Sequence, residues 1–290
     1  MKKIAILGCE NSHADTFLKY IKTMPEYSDI EVVGVYSDEP EAARALSEKH
    51  GVPVLEKYTD AVGAIDGLII TARHGDNHYK YAKPYIGTGI PMFIDKPITI
   101  SEDEAVTFMR ALRDNNVRIS GGSCLKYEKL VKELRAEALS EKDGKTVGGA
   151  VRAPISSASV YGGIYFYAQH LVEMICEIFG RYPRSVLALE NGETKNVIFR
   201  YDSFDAIGTY ADNSSAYYAA RYTKTTSHGG ECDLSASACF LFEFEEFVSM
   251  LNGAEQKISY EDFISPVFIM NAIERSLKSG KEEEVRGYSL

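Results

Sequence analysis

The sequence predicts an α/β protein, with a doubly wound parallel sheet over residues 1–121 and an α+β portion with a largely antiparallel open sheet over residues 122–290. Three observations predict it. Short continuous apolar runs alternate with amphipathic segments of helical period up to about residue 122, as expected for parallel strands buried on both faces and joined by right-handed crossovers. Beyond that point, strand-like segments succeed one another with no helix between them, which favours antiparallel pairing with helices on one face. At 290 residues the chain also exceeds the usual span of one core, so two domains are expected.

The elements follow in order. Residues 3–8 read as a strand and 12–24 as a helix, with Ala14, Phe17, Leu18 and Ile21 on one face. Residues 30–36 are a second strand, 39–50 a helix ended by Gly51, and 52–55 a short third strand. Strands at 64–71 and 91–94 flank a helix over 78–86. Ser101 with Glu104 three residues on forms a capping box that opens a helix to 115. Residues 117–122 complete the first sheet, and the domain boundary is expected near Gly121. Afterwards come a helix over 127–139, a strand at 147–154, a helix over 164–179, and strands near 185–190, 196–200, 206–211 and 216–222. Two helices, 240–251 and 260–279, close the chain, and the last is expected to pack back on the first domain.

A formal charge of −10 disfavours nucleic acid and anionic membrane as partners. The densest basic run, Lys126, Lys129, Lys132 and Arg135, is broken by Glu128 and Glu133 and suits a solvated helix face. Five cysteines, an odd number with no CxxC pair, argue against a disulfide framework and a structural zinc site. With no signal-peptide pattern and no long apolar run, a cytoplasmic location is expected.

In an open parallel sheet, ligands lie beyond the carboxyl ends of the strands, and the first strand-to-helix turn offers free N–H groups to a pyrophosphate. Here that turn is Gly8-Cys9-Glu10-Asn11-Ser12-His13. It keeps the first glycine of G-x-G-x-x-G, but Glu10 stands where the second permits close approach of the pyrophosphate. Asn11 and Ser12 either donate to a phosphate or simply cap the helix. At the end of the second strand, Ser37 and Asp38 are the candidates for the ribose hydroxyls, and the adjacent carboxylates favour NAD over NADP.

These features resemble the Gfo/Idh/MocA family, named for glucose-fructose oxidoreductase and inositol dehydrogenase. The likeness runs along nearly the whole chain. It includes Tyr58-Thr59-Asp60, Ile94-Asp95-Lys96-Pro97 where the family has Glu-Lys-Pro, Gly162-Gly163 leading to His170, and the closing stretch from Ile258 through Ser276-Leu277-Lys278-Ser279-Gly280-Lys281. The resemblance implies a Rossmann domain that holds NAD(P) and oxidation of a hydroxyl on a sugar, polyol or related small molecule. It implies that Lys96 positions the reacting hydroxyl and that His170 takes its proton. Gly8, Asn11, Ser12, His13, Ser37, Asp38, Thr71, His78 and Asp95 would line the cofactor site. Independently, a lysine beyond an apolar strand, its backbone restricted by Pro97, suits such a role, and an imidazole titrating near neutrality suits proton transfer.

The departures are specific. The family's aspartate four residues before the histidine is Phe166 here, and Thr71-Ala72-Arg73-His74-Gly75-Asp76-Asn77-His78 replaces a Thr-Pro-Asn turn. Arg73 and His74 either suit an anionic ligand or pair with Asp76 or Asp95. His74 and His78 have i, i+4 spacing, but Gly75 disfavours continuous helix and no third ligand is evident, so no metal is expected. Tyr161, Tyr165, Tyr167, Tyr217, Tyr218 and Tyr222 either line a sugar-like pocket or belong to the core. Two rival readings stay open: a dinucleotide- or ligand-binding protein that has lost the reaction, and lyase or hydrolase chemistry through a transient oxidation. The uncovered face of the second sheet predicts a homodimer or homotetramer.

Overall fold

The computed structural model describes residues 1–234 and 238–290. The first half contains β1 (Lys2–Leu7), α1 (Ser12–Thr23), β2 (Ile30–Tyr36), α2 (Pro40–His50), β3 (Gly67–Ile70), α3 (Asp76–Ala82), β4 (Met92–Asp95), α4 (Glu102–Asp114) and β5 (Ile119–Gly122). The five strands pair in parallel in the order β2-β1-β3-β4-β5. The order reverses between β1 and β3, and a crevice opens there at the carboxyl ends of both. β3, β4 and β5 are buried throughout, the burden of covering a parallel sheet on both faces.

Local chemistry sets the helix ends. The side chain of Asn11 caps α1 by accepting from His13 N at 3.3 Å. Ser101 Oγ accepts from Glu104 N at 3.3 Å, so the serine cap of the expected capping box opens α4. α2 begins at Pro40 and stops at Gly51, whose φ of 59° is left-handed.

Two expected elements come out differently. The strand over 52–55 is reduced to a single bridge, Val35 with Val54. Pro53 has no N–H to extend the ladder, and only its carbonyl joins, accepting from Val35 N at 2.9 Å. The helix over 78–86 is α3 followed by a 3-10 turn, Lys83–Thr88, because Pro84 removes a helical donor.

The second half comprises α5 (Lys129–Leu139), β6 (Gly148–Ile155), α6 (Tyr165–Phe179), β7 (Ser185–Asn191), β8 (Thr194–Arg200), β9 (Asp205–Asp212), β10 (Tyr218–Tyr222), β11 (Ser227–Glu231), α7 (Cys239–Leu251), α8 (Tyr260–Ser279) and β12 (Glu283–Glu284). Its sheet runs β11-β10-β6-β9-β8-β7-β12. It is mixed: β6 and β9 pair in parallel over eight residues each, and the remaining neighbours are antiparallel. α6 acts as a crossover that returns the chain so that β7 starts in the direction of β6, and two reversals bring β9 back to that direction. β11 and β12 were not expected from the sequence.

α6 is buried over most of its surface, as befits a helix apolar nearly all round. The closing helices join the halves. Phe244, Phe247, Met250 and Leu251 of α7 pack into the core built on α1 and Phe93. Phe263, Ile264, Val267 and Phe268 of α8 enter the core of the first sheet, while Ile269, Met270 and Ile273 enter that of the second. α8 thus contributes to the cores of both sheets.

Candidate active site

The β1–α1 turn is held tightly to the end of β3. Gly8 has φ of +78°, and a Cβ there would lie 2.3 Å from Ala72 N, so only glycine fits. Thr71 Oγ donates to the Gly8 carbonyl at 3.0 Å. Glu10 then reaches across the crevice: its carboxylate accepts from Ser37 Oγ at 2.6 Å and from Arg73 N at 2.9 Å. Ser37 is buried, and its Oγ also accepts from Glu39 N. Asp38 is exposed and accepts from Tyr36 OH at 2.8 Å and Lys80 Nζ at 2.7 Å. Ser12 is exposed beside its cap partner Asn11.

This chain's residues fit a dinucleotide at three places: the close approach at Gly8, the amino end of α1, and the acceptor Asp38 at the end of β2. Between them stands the Glu10 carboxylate, held by Ser37 Oγ and Arg73 N. Tyr161, from the segment before α6, reaches the same rim: its hydroxyl donates to Glu39 at 2.9 Å, and the Arg73 guanidinium lies 5.2 Å from its ring centre.

Next to this crevice a cavity of about 240 Å3 is lined by Asn11, His13, Arg73, Lys96, His170 and Tyr217, among others. Larger hollows exist; one of about 450 Å3 is lined by Arg135, Glu177 and Arg181. That one is remote from the strand ends and surrounds the ion pairs of Arg181 with Glu173 and Glu177, so the smaller cavity is the functional candidate. Lys96, buried just past β4, has its Nζ 4.7 Å from the ring centre of Phe166 and 5.5 Å from that of Tyr167. Phe166, whose position lacks the expected acid, therefore supplies an aromatic face for the ammonium. His170 Nδ1 lies 2.7 Å from Ser123 Oγ. Burial foremost, then the charges of Lys96 and His13, hold its pKa well below the usual histidine value, so at neutral pH it is an uncharged imidazole.

A second cluster borders the cavity. His13 Nδ1 is 3.3 Å from Asp95 Oδ2 and from Asn11 Oδ1, and Asn11 Nδ2 donates to Asp95 Oδ2 at 2.7 Å. On its other side His13 Nε2 is 3.2 Å from Glu243 Oε2, and the ligand atoms of His13, Cys124 and Glu243 all lie within 4.8 Å of one another. Burial is the first cause that raises the pKa of Glu243 and of the Cys124 thiol. Sequence reasoning placed His13 and Asp95 here but missed Cys124 and Glu243. Glu243 had a signal, an acid inside the apolar run Cys-Phe-Leu-Phe-Glu-Phe; Cys124 had none.

The remaining candidates take other places. His78 is wholly buried, with Nε2 2.8 Å from the Ala72 carbonyl and Nδ1 3.2 Å from that of Ile98, and so ties the loop after β3 to the one after β4. His74 precedes α3, its Nδ1 3.8 Å from Asp76, so the two histidines do not share a helix face. Of the tyrosines, Tyr167 and Tyr217 line the cavity, while Tyr218 and Tyr222 are exposed on the second sheet.

Comparison with known proteins agrees with this fold. Residues 2–123 match the Gfo/Idh/MocA family, described as an oxidoreductase family with an NAD-binding Rossmann fold. Glucose-6-phosphate 3-dehydrogenase of Bacillus subtilis (strain 168) is 25% identical over 197 residues, which cover 62% of this chain and 54% of that protein. The chain thus matches about half the length of this curated relative. Among solved structures, scyllo-inositol dehydrogenase from Lactobacillus casei with NAD(H) and scyllo-inositol has a TM-score of 0.84 at 16% identity, covering 98% of this chain and 99% of that one. GenD2 from gentamicin A biosynthesis, in complex with NAD, also scores 0.84 at 13% identity, covering 99% and 97%. A myo-inositol dehydrogenase from Corynebacterium glutamicum ATCC 13032 scores 0.82 at 14%, covering 99% and 100%. At these identities the likeness is one of fold.

Proposed function

We propose that this chain, whose residues 2–123 match the Gfo/Idh/MocA oxidoreductase family with its NAD-binding Rossmann fold, transfers a hydride between NAD(P) and a hydroxyl-bearing carbon of a sugar, polyol or related small molecule. One observation carries the reading: a buried lysine and an uncharged buried histidine line one small cavity at the carboxyl ends of the parallel strands. The bound nicotinamide supplies hydride acceptance; the protein supplies position and proton transfer. Lys96, with its ammonium against Phe166 and Tyr167, stabilises negative charge as it grows on the reacting oxygen. His170 stays in its proton-accepting form at neutral pH, with Ser123 orienting its ring. Asp38 and Ser37 would hold the ribose, and the amino end of α1 the diphosphate. With Asp38 and Glu39 at that rim, NAD is favoured over NADP.

The test is a titration with NADH and NADPH followed by nucleotide fluorescence, then a panel of polyols and sugars read by NADH formation. Saturable binding and turnover are expected, with His170→Gln lowering kcat by roughly 10²–10⁴ while NADH binding persists. No binding by the wild type would favour a non-catalytic ligand-binding protein, the reading to which the bonds from Ser37 and Arg73 to Glu10 lend support.

Two further features belong to this reading. Leu189, Ile207, Tyr218 and Tyr222 are exposed on the second sheet, and self-association through this face into a homodimer or homotetramer would cover them. The same reading divides the labour at residue 121, nucleotide before and substrate and assembly after, and the separation into two sheets supports it. No helix among the described residues is long and apolar enough to cross a membrane, and five unpaired cysteines suit a reducing cytoplasm.

A further inference from the structure

From the cluster bordering the cavity, we infer a divalent transition-metal site in which His13, Cys124 and Glu243 are the ligands and Asp95 orients His13 from behind. The three come from separate elements: the first turn of α1, the residue after Ser123 beyond β5, and the second turn of α7. All three are buried, and their ligand atoms lie within 4.8 Å of one another. Tetrahedral zinc bonds of roughly 2.0–2.3 Å bring ligand atoms to about 3.3–3.7 Å apart, so only small side-chain shifts are needed to close on a common centre.

A second, independent observation points to an occupant. His13 Nε2, both oxygens of Glu243 and Asp95 Oδ1 are buried without a hydrogen-bond partner. His13 Nε2 and Glu243 Oε2 are 3.2 Å apart, an ion-pair distance, so the atoms left most fully orphaned are Glu243 Oε1 and Asp95 Oδ1. Orphaned buried polar atoms are costly and rare, and a divalent cation would engage the carboxyl oxygens that flank this one imidazole. The far side of the ring supports the assignment. Nδ1 is hydrogen-bonded to Asn11 Oδ1 at 3.3 Å, with Asp95 Oδ2 equally near and itself held by Asn11 Nδ2; donation on this side would fix the tautomer that leaves Nε2 free to ligate, the outer support expected behind a metal-bound histidine.

One nitrogen, one thiolate and one carboxylate make a borderline donor set that suits zinc or cobalt(II) rather than magnesium or calcium. Three protein ligands leave a fourth position open. His13 and Cys124 both line the cavity that holds Lys96 and His170, so that position faces the space where a ligand would sit and would take water or a ligand oxygen. His13 stands at the third position of the glycine fingerprint, where a glycine ordinarily serves close helix–strand packing.

The experiment uses the full chain stripped with a chelator and titrated with cobalt(II), zinc content being measured on the protein as purified. We expect one equivalent bound, tetrahedral visible bands, and a thiolate-to-cobalt charge-transfer band in the near ultraviolet. Cys124→Ser abolishes the charge-transfer band, Asp95→Asn weakens metal affinity by roughly 10–100-fold, and Cys232→Ser changes neither. Circular dichroism confirms that each variant is folded. If the folded wild type neither holds zinc nor develops the charge-transfer band, the cluster is a proton-bridged Asp95–His13–Glu243 triad and the inference is overturned. A band that survives Cys124→Ser overturns it as well.

Discussion

Replacing Glu10 tests the nucleotide site most directly. Its carboxylate stands in the crevice, accepting from Ser37 Oγ and Arg73 N, where the approaching diphosphate carries like charge. Two unit charges 4 Å apart repel by about 1 kcal/mol in bulk water and about 4 kcal/mol near a protein surface. The Glu10→Gln variant keeps the shape, and its amide can still accept from Arg73 N and donate to Ser37, so it removes the charge alone. Taking a solvent-weighted value of about 1.4 kcal/mol, NADH should bind about tenfold more tightly to Glu10→Gln at low salt, and less so as screening increases. Glu10→Gly also clears the volume and should bind at least as tightly. The assay is fluorescence titration of all three proteins at two ionic strengths. If both variants bind NADH as the wild type does, the diphosphate does not pass Glu10. Weaker binding by Glu10→Gln would instead make the carboxylate a nucleotide ligand. Either result refutes the reasoning.

Other expectations follow from the same geometry. Gly8→Ala forces a side chain into a left-handed position and within 2.3 Å of Ala72 N; a loss of about 2–5 kcal/mol is expected from strain and overpacking, read by denaturant unfolding, and a loss below about 1 kcal/mol would mean the turn relaxes freely. His78 has a folded pKa below 6.5, chiefly because it is buried. Below pH 6.5 the unfolded chain therefore takes up a proton that the folded chain refuses, so stability is full above 6.5 and declines as pH falls. Comparing wild type with His78→Gln from pH 6.5 downward should show the wild-type slope steeper by up to about 1.4 kcal/mol per pH unit; equal slopes would show that His78 titrates normally. Ile207→Glu, on the exposed face of the second sheet, should shift the protein towards monomer in light scattering, while an unchanged mass would place self-association elsewhere.

The amino-acid order alone determined the architecture of the first sheet and most helix ends. Parallel strands buried on both faces must be largely apolar, and stretches such as residues 68–70 and 92–94 are. Ser101, Gly51 and Pro40 act within one turn of chain, so capping and termination are local properties. Lys96 and His170 were also legible, through the motifs around them, and both line the cavity. The edge strands were not: β11 reads Ser-His-Gly-Gly-Glu, without apolar alternation, and exists because β10 offers it a ladder. The parallel pairing of β6 with β9 was likewise decided by the crossover through α6, whose direction neither strand's sequence encodes. Phe166 looked like the loss of an acid, and only its place beneath the Lys96 ammonium gives it a role. The buried group formed by His13, Asp95, Cys124 and Glu243 was least legible of all. Its members are scattered along the chain, and their chemistry arises from mutual distance and exclusion of water, which exist only once α7 has packed against α1 and the end of β5.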